Sequence, residues 1–328
     1  MAIHSCLLSV VVIGRNEGGR LVKCLDSVSH INIPKDRWEL IYVDSGSTDG
    51  SPLFAEAFQA HILQIPAEKA SAAVARNAGW KFAKGEFILF LDGDTLLDPN
   101  FVLEALPYFS DSKIAIVCGQ RRELYPEHSV FNRVLDLDWI GPTGEVLSCG
   151  GDALIRQEVL QKVNGYDPSL IAGEEPDMCR RMREIGYKII RIDKVMTRHD
   201  LNIERFSQYW RRCYRTGYAY AQVSDKFKET SDPLWLRESR HNLWKNGILV
   251  LALILCCLYP WLIPFFILLT LVIILRTAWQ VRNKTGSLST RLLYAIHSQF
   301  QHIPMASGQL GYWLNRLRRR VRGVIDYK

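Results

Sequence analysis

Asp92 and Asp94, separated by Gly93, carry the strongest chemical signal in the chain. They follow the apolar run Phe87-Ile88-Leu89-Phe90-Leu91, which reads as a strand buried on both faces. A strand ending in Asp-x-Asp puts charge at the carboxyl edge of a sheet, where open α/β sheets bind ligands. The spacing lets one or both carboxylates reach a hard divalent cation, and Gly93 lets the backbone come close. Such a cation usually holds substrate phosphates too. The competing role, capping the helix that begins at Pro99, falls to Asp98.

Other residues could join them. Glu174, Glu175 and Asp177 open a helix behind Gly173, with Pro176 in its first turn. Three acids at a helix N-terminus are ordinary capping chemistry. Beside a glycine-rich loop and a metal site, they are also what a general base requires. Gly150-Gly151 before Asp152 marks close backbone approach to a ligand. His199, just past a late strand, is a candidate third metal contact. Glu17 stands where the first strand meets a helix, either as a capping acid or as an acceptor for a base or ribose. Asp44 is a second candidate for base or ribose, while Asp49 holds the turn-rich loop 44–50 together. Arg76 and Asn77 interrupt an alanine-rich helix and face a site, Arg76 toward a diphosphate.

Strands must position these groups. Runs 7–13, 40–43, 62–65, 87–91 and 114–118 alternate with helices from Arg20, Ser51, Ala70 and Pro99. In the helix after Arg20, Leu21, Cys24, Leu25 and Val28 share one face. This order argues an α/β fold with a mainly parallel, doubly wound sheet. Residues 121–145 carry charge without clear period. A short apolar piece, 153–155, and a turn at 164–167 precede the acidic helix, whose Met178, Met182 and Ile185 point inward. Residues 188–192 form the late strand. No G-x-G-x-x-G and no Walker lysine pattern occurs, so a nucleotide would be held by carboxylates and metal.

At 328 residues and 48% apolar content, the chain can bury a full core. Its eight cysteines lack C-x-x-C spacing, and no secretory signal opens the chain, which fits reduced thiols in a cytosolic domain. The formal charge of +7 is concentrated after Arg198.

Five stretches in register, and a sixth with altered order, over roughly residues 7–217 resemble the family 2 glycosyltransferases of the GT-A fold. Ser9 to Glu17, with Asn16-Glu17, is similar to the family's opening strand. Residues 42–50 resemble its Asp-Asp-Gly-Ser-x-Asp loop, with Ser45 in place of the second Asp. Ala75-Arg76-Asn77-Ala78-Gly79 matches its Ala-Arg-Asn-x-Gly helix, and Asp92-Gly93-Asp94 its Asp-x-Asp. Glu174-Glu175 falls where the family has Glu-Asp, the second acid being the base. Phe206-Ser-Gln-Tyr-Trp-Arg-Arg, with Gln208, Trp210 and Arg211, resembles the Gln-x-x-Arg-Trp acceptor motif of processive members, but the order of Trp and Arg differs.

The resemblance implies an inverting transfer from a nucleotide-diphosphate sugar. Gly14, Asn16, Glu17, Asp44, Ser45, Arg76, Asn77, Asp92 and Gly93 would hold the donor. Asp94, with Asp92 and His199, would hold Mg²⁺ or Mn²⁺ against the diphosphate. Glu175, or Glu174 in its stead, would deprotonate the acceptor. Gly151, Asp152, Gln208, Trp210 and Arg211 would contact the acceptor, a lipid-linked or polysaccharide precursor.

Residues 247–275 are apolar apart from Pro260 and Pro264. The run suits one tilted span or a re-entrant hairpin, each half being too short for a span of its own. Basic residues on both sides favour the hairpin, with both ends in the cytosol. The tail sets Leu310, Trp313, Leu314 and Leu317 against Arg316, Arg318, Arg319, Arg320 and Arg322, as in a helix lying on anionic lipid. Nucleic-acid binding is not expected, because no recognition module accompanies the basic run. The expected organisation is a catalytic domain over 1–225, an amphipathic linker over 226–246, the membrane segment over 247–275 and a basic tail over 276–328. The catalytic domain would lie on the cytosolic face of the inner (plasma) membrane. Two rivals are a phosphatase of the haloacid-dehalogenase type and a non-catalytic membrane scaffold. The first is weakened by Leu96, which stands where its motif needs threonine.

Overall fold

The computed structural model describes residues 6–170 and 172–319, in two units. The first comprises Met1–Leu124 and Trp139–Leu201. In chain order it holds β1 (Leu8–Gly14), α1 (Gly19–Ser29), β2 (Trp38–Asp44), α2 (Ser51–Ala57), β3 (His61–Gln64), α3 (Ala72–Phe82), β4 (Phe87–Asp92), β5 (Thr95–Leu97), α4 (Phe101–Ala105) and β6 (Ile114–Glu123). After α5 (Val130–Trp139), which the second unit holds up to Asp138, come β7 (Gly144–Val146), β8 (Ala153–Arg156), α6 (Gln157–Lys162), α7 (Glu174–Glu184) and β9 (Lys188–His199).

The strands form one mixed sheet in the order β3-β2-β1-β4-β8-β6-β9-β5, with β7 also on β9. β3, β2, β1 and β4 are parallel, as βαβ crossovers require. β8 then lies antiparallel between β4 and β6, and β6 and β9 are again parallel. The sheet is thus less parallel than alternating strands and helices predict, because β8 is entered from β7 without a crossover helix. β1 and β4 are sealed on both faces, and Leu21, Cys24, Leu25 and Val28 of α1 are buried as their spacing requires. Gly79 of α3 explains its place in the motif: a Cβ there would meet Val11 Cγ1 at 2.3 Å, so only glycine lets this helix sit so close to β1.

Two expectations change. Residues 130–139 form α5, a helix hidden in the sequence because it buries Asn132 and Asp136 beside Val134, Leu135 and Leu137. Ile185, expected inside, lies just past the end of α7 and is exposed.

The second unit comprises Tyr125–Asp138 and Asn202–Lys328. Its further helices are α8 (Phe206–Phe227), α9 (Leu236–Leu258), α10 (Ile263–Gln280), α11 (Leu288–Phe300) and α12 (His302–Leu317). The apolar run was expected to be too short for two long helices, yet it forms α9 and α10, broken at Pro260–Leu262. α9 reaches its length by starting eleven residues before the run, among polar side chains. Close approach of α8 and α12 rests on Gly217 and Gly308, where Cβ atoms would overlap Met305 and Tyr214. The expected tail stripe is exposed on α12, while Arg320 and Arg322 lie outside the described residues.

Candidate functional site

Asp92 ends β4, and the chain turns through Gly93 and Asp94 into β5. Gly93 N donates to Ile13 O, which ties this turn to the end of β1. β5 pairs with β9 so that Thr95 opposes His199. That register brings His199 Nε2 to 3.2 Å from Asp94 Oδ1, both side chains being buried. Asp92, Asp94 and His199 offer ligand atoms within 4.8 Å of one another. Two carboxylates and an imidazole suit a divalent cation of intermediate hardness.

Arg76 of α3 enters from the neighbouring crossover. Its Nη2 donates to Asp92 Oδ1 at 2.9 Å, and its Nη1 lies 3.0 Å from Glu174 Oε1 and 3.1 Å from Glu175 Oε1. Burial alone would lower the Arg76 pKa, but Glu175, Asp92 and Glu174 outweigh it and hold it well above the usual value. Arg76, expected to point at a diphosphate, is instead the shared counter-charge of three acids. Glu174 is the more buried of the two glutamates, leaving Glu175 the more open.

Sequence reasoning missed Arg121 of β6. Its Nη2 lies 2.8 Å from Asp152 Oδ2 and 3.8 Å from Asp92 Oδ2, and its guanidinium sits 5.6 Å from the centre of the Trp139 ring. Trp139 in turn meets His199 edge-on at 5.1 Å. Burial again opposes the charge of Arg121, and Asp152 with Asp92 restores it. Asp152, expected to contact an acceptor, is buried under the end of β4. Its Oδ1 accepts from Asp92 N and its Oδ2 from Thr197 Oγ1. Gly151 leaves room for the ion pairs: a Cβ there would stand 2.6 Å from Arg76 Nη2 and 3.0 Å from Asp92 Oδ2.

A second group lies at the ends of β1 and β2. Asp44 is buried, accepting from Tyr42 Oη at one oxygen and from Gly46 N and Ser47 N at the other. Ser45 N donates to Gly14 O. Asn16 N donates to Ser47 Oγ, and Asn16 Oδ1 accepts from Thr48 N, so Asn16 binds the two loops together. Glu17 pairs with Arg20 at 2.7 Å. Asp49 accepts from Ser51 N and Oγ, bracing its loop as expected. Asn77 is spent on the turn after α6, bonding both N and O of Tyr166.

In the second unit, Gln208 Oε1 accepts from Glu204 N and Arg205 N and so caps α8. Trp210 packs among Phe206 and Phe300, and Arg211 is exposed.

Residues 9–163 match the model of Glycosyl transferase family 2, and residues 87–281 that of Glycosyl transferase family group 2. Glycosyltransferase AglE of Haloferax volcanii is 25% identical over 225 residues, covering 66% of this chain and 73% of that protein. O-antigen chain rhamnosyltransferase RfbN of Salmonella typhimurium is 26% identical over 223 residues, 62% of this chain and 70% of that protein. Among solved structures, mannosyltransferase PcManGT of Pyrobaculum calidifontis, in complex with GDP-Man and Mn²⁺, superposes with a TM-score of 0.60 at 19% identity, covering 92% of this chain and 86% of its own. S. aureus TarS 1-349 with UDP-GlcNAc superposes at 0.54 and 14% identity, covering 94% and 92%. These likenesses show the GT-A fold with its mixed sheet and flanking helices.

Proposed function

The chain belongs to the family 2 glycosyltransferases, and from that premise we propose that it moves a sugar, with inversion, from a nucleotide-diphosphate sugar to a lipid-linked or polysaccharide acceptor. One observation carries this reading: half-buried Asp92 and buried Asp94 and His199 gather at the end of β4, set beside Glu174 and Glu175 through Arg76.

Asp94, His199 and Asp92 would hold Mg²⁺ or Mn²⁺. Bound there, the cation supplies positive charge against a leaving diphosphate. The donor set fits it: two carboxylates and an imidazole offer ligand atoms within 4.8 Å of one another, a hard-to-intermediate set that suits either ion. The Mn²⁺ complex of the Pyrobaculum mannosyltransferase supports divalent metal use. Asp44, with the loops that Asn16 and Ser45 tie together, supports a nucleoside site.

Glu175 takes the proton of the acceptor hydroxyl. The hydroxyl oxygen bonds to the anomeric carbon from the face opposite the phosphate, and the nucleoside diphosphate leaves with the electrons of the broken C–O bond. Arg76, 3.1 Å from Glu175 Oε1, orients it for this step. Asp152 and Arg121 hold Asp92 in place. The donor complexes of the two solved neighbours, with GDP-Man and with UDP-GlcNAc, support a nucleotide-sugar donor. The rhamnosyltransferase RfbN supports a polysaccharide precursor as acceptor.

Among the described residues, two helices are long and apolar enough to cross a membrane, Leu236–Leu258 and Pro260–Gln280. They support attachment to the inner membrane, with a catalytic domain over 1–225 in the cytosol and the basic tail on anionic lipid. The phosphatase and scaffold alternatives find no support in the family match or the relatives.

The test is a panel of nucleotide sugars supplied to the full chain with membrane extract, read as nucleotide release. Release of UDP or GDP from one donor, dependent on divalent cation, is expected. Release of inorganic phosphate from a monoester, or no release from any donor, overturns the reading.

A further inference from the structure

The two ends of the apolar helix pair are fastened to the same scaffold. Before the pair, Ser239, Asn242, Lys245 and Asn246 project from the first half of α9. After it, His302 and Gln309 project from α12. Asn242 Nδ2 donates to Gln309 Oε1 at 2.6 Å, and His302 Nδ1 donates to Asn242 Oδ1 at 2.6 Å. Gln309 Nε2 donates to Ser239 O and Oγ, Asn246 Nδ2 to His302 O, and Lys245 Nζ to His302 Nε2. Ser239, Asn242 and Gln309 are buried, so these bonds are the pairing that buried amides require. Lys284, just past α10, donates to Leu137 O at the end of α5, and His297 and Tyr294 of α11 reach Asp138.

A single span would leave the chain after α10 across ~30 Å of hydrocarbon from the chain before α9. None of these bonds could then form. The length points the same way. The first half of α9 is claimed by α12, which leaves about a dozen residues, 247–258, with bare apolar sides. α10 has a similar bare length up to Arg276. Although each whole helix has the length of a span, its bare apolar part rises only about 18–20 Å, short of the far headgroups. Leu251 and Leu258 in α9 and Phe265 and Leu268 in α10 are more than half exposed, and most of their apolar neighbours on the two helices are exposed too. Such a surface far exceeds the apolar patch of a soluble monomer. Exposed Arg237 and Arg240 before it, and Arg276 and Arg282 after it, ring the base of the pair with charge complementary to phospholipid headgroups.

We propose that α9 and α10 form a re-entrant hairpin seated in one leaflet of the bilayer, entering and leaving by the same face, with Tyr259 and Trp261 at its buried tip. The inference rests on the membrane attachment in the functional reading above and adds its topology. The polar clamp holds the two helix bases at fixed spacing, so the hairpin inserts as a unit.

The test uses the full chain in inverted membrane vesicles, tagged at both termini. Trp261→Cys is placed in a background where Cys6, Cys256 and Cys257 are serine. Both tags are expected to be cut by protease added outside, and Trp261→Cys to react with an impermeant maleimide only after detergent. Tags on opposite faces, or labelling of the cysteine from the face opposite the tags, overturn the proposal. Release of the folded chain by alkaline carbonate also overturns it, since the apolar pair would then be covered by a second copy or another partner. Nucleotide release assayed on the same vesicles scores the catalytic reading separately, so either can fail alone.

Discussion

Nη2 of Arg76 meets Oδ1 of Asp92 at 2.9 Å, joining the helix of the Ala-Arg-Asn-x-Gly stretch to the end of the central strand. The same guanidinium holds Glu174 and Glu175. One cation thus links the acids proposed to hold metal with the acids proposed for proton transfer. A cation drawing on Asp92 would loosen one contact of Arg76 and leave its hold on Glu175 intact. The two sets of acids thus share a single counter-charge.

Removing the metal should remove the activity. Full chain treated with chelator is expected to lose nucleotide release and to regain it with Mn²⁺ or Mg²⁺. Asp94→Asn and His199→Gln should each cut release by about 10²-fold or more, as losing transition-state charge stabilisation does. Both variants should show an unchanged circular dichroism spectrum. Wild-type turnover in either would remove that residue from the cation site.

The two glutamates should separate. Glu175→Gln is expected to lower kcat by ~10²–10⁴-fold, the usual value of a general base, with donor KM little changed. Glu174→Gln should cost less, because Glu174 is the more deeply buried partner of Arg76. Steady-state kinetics on both variants decide it. A larger loss in Glu174→Gln would exchange their roles.

Gly151→Ala should act through the ion pair it displaces. The added methyl would stand 2.6 Å from Arg76 Nη2, so the guanidinium must move off Asp92. Metal-dependent nucleotide release is expected to fall at least tenfold while the thermal midpoint shifts little. Arg76→Ala is the harsher change. It leaves buried Glu174 without this counter-charge, and the loss of such a partner typically costs ~3–5 kcal/mol. A Gly151→Ala variant with normal kinetics would show that the Arg76–Asp92 contact is dispensable.

What the sequence shows and what it hides follow from contact range. The run 87–91, the acid pair behind it and the four-residue face of α1 are local patterns, and the structure places each as its spacing requires. Arg121 and Thr197 are different. They reach the site only because β6, β8 and β9 are neighbours in the sheet, across 60 residues from Asp92 to Asp152 and 45 from Asp152 to Thr197. No short-range period marks such partners. Helix α5 escapes detection because Asn132 and Asp136 lie on its buried side. The start of α9 escapes for the same reason: Ser239 and Asn242 look like solvated linker until Gln309 satisfies them from 70 and 67 residues away, respectively.

The clamp beneath the hairpin should be sensitive to acid. Burial, and then Lys245, His241 and His297, hold the pKa of His302 down at about 4, against an ordinary 6.5. Between those values the unfolded chain binds a proton at His302 and the folded chain does not. Stability is therefore full above about pH 6.5 and falls as the pH drops toward about 4. The whole depression corresponds to roughly 3 kcal/mol, which partial exposure of the ring trims to about 1–2 kcal/mol. For a chain of this size the midpoint should fall by a few degrees between about pH 7 and pH 5 in detergent. His302→Gln can still donate to Asn242 Oδ1 and cannot take up the proton, so it should flatten that acid arm. An acid arm of the same depth in His302→Gln would place the sensitivity elsewhere. Such a result would leave the clamp as a set of neutral hydrogen bonds with no titrating member.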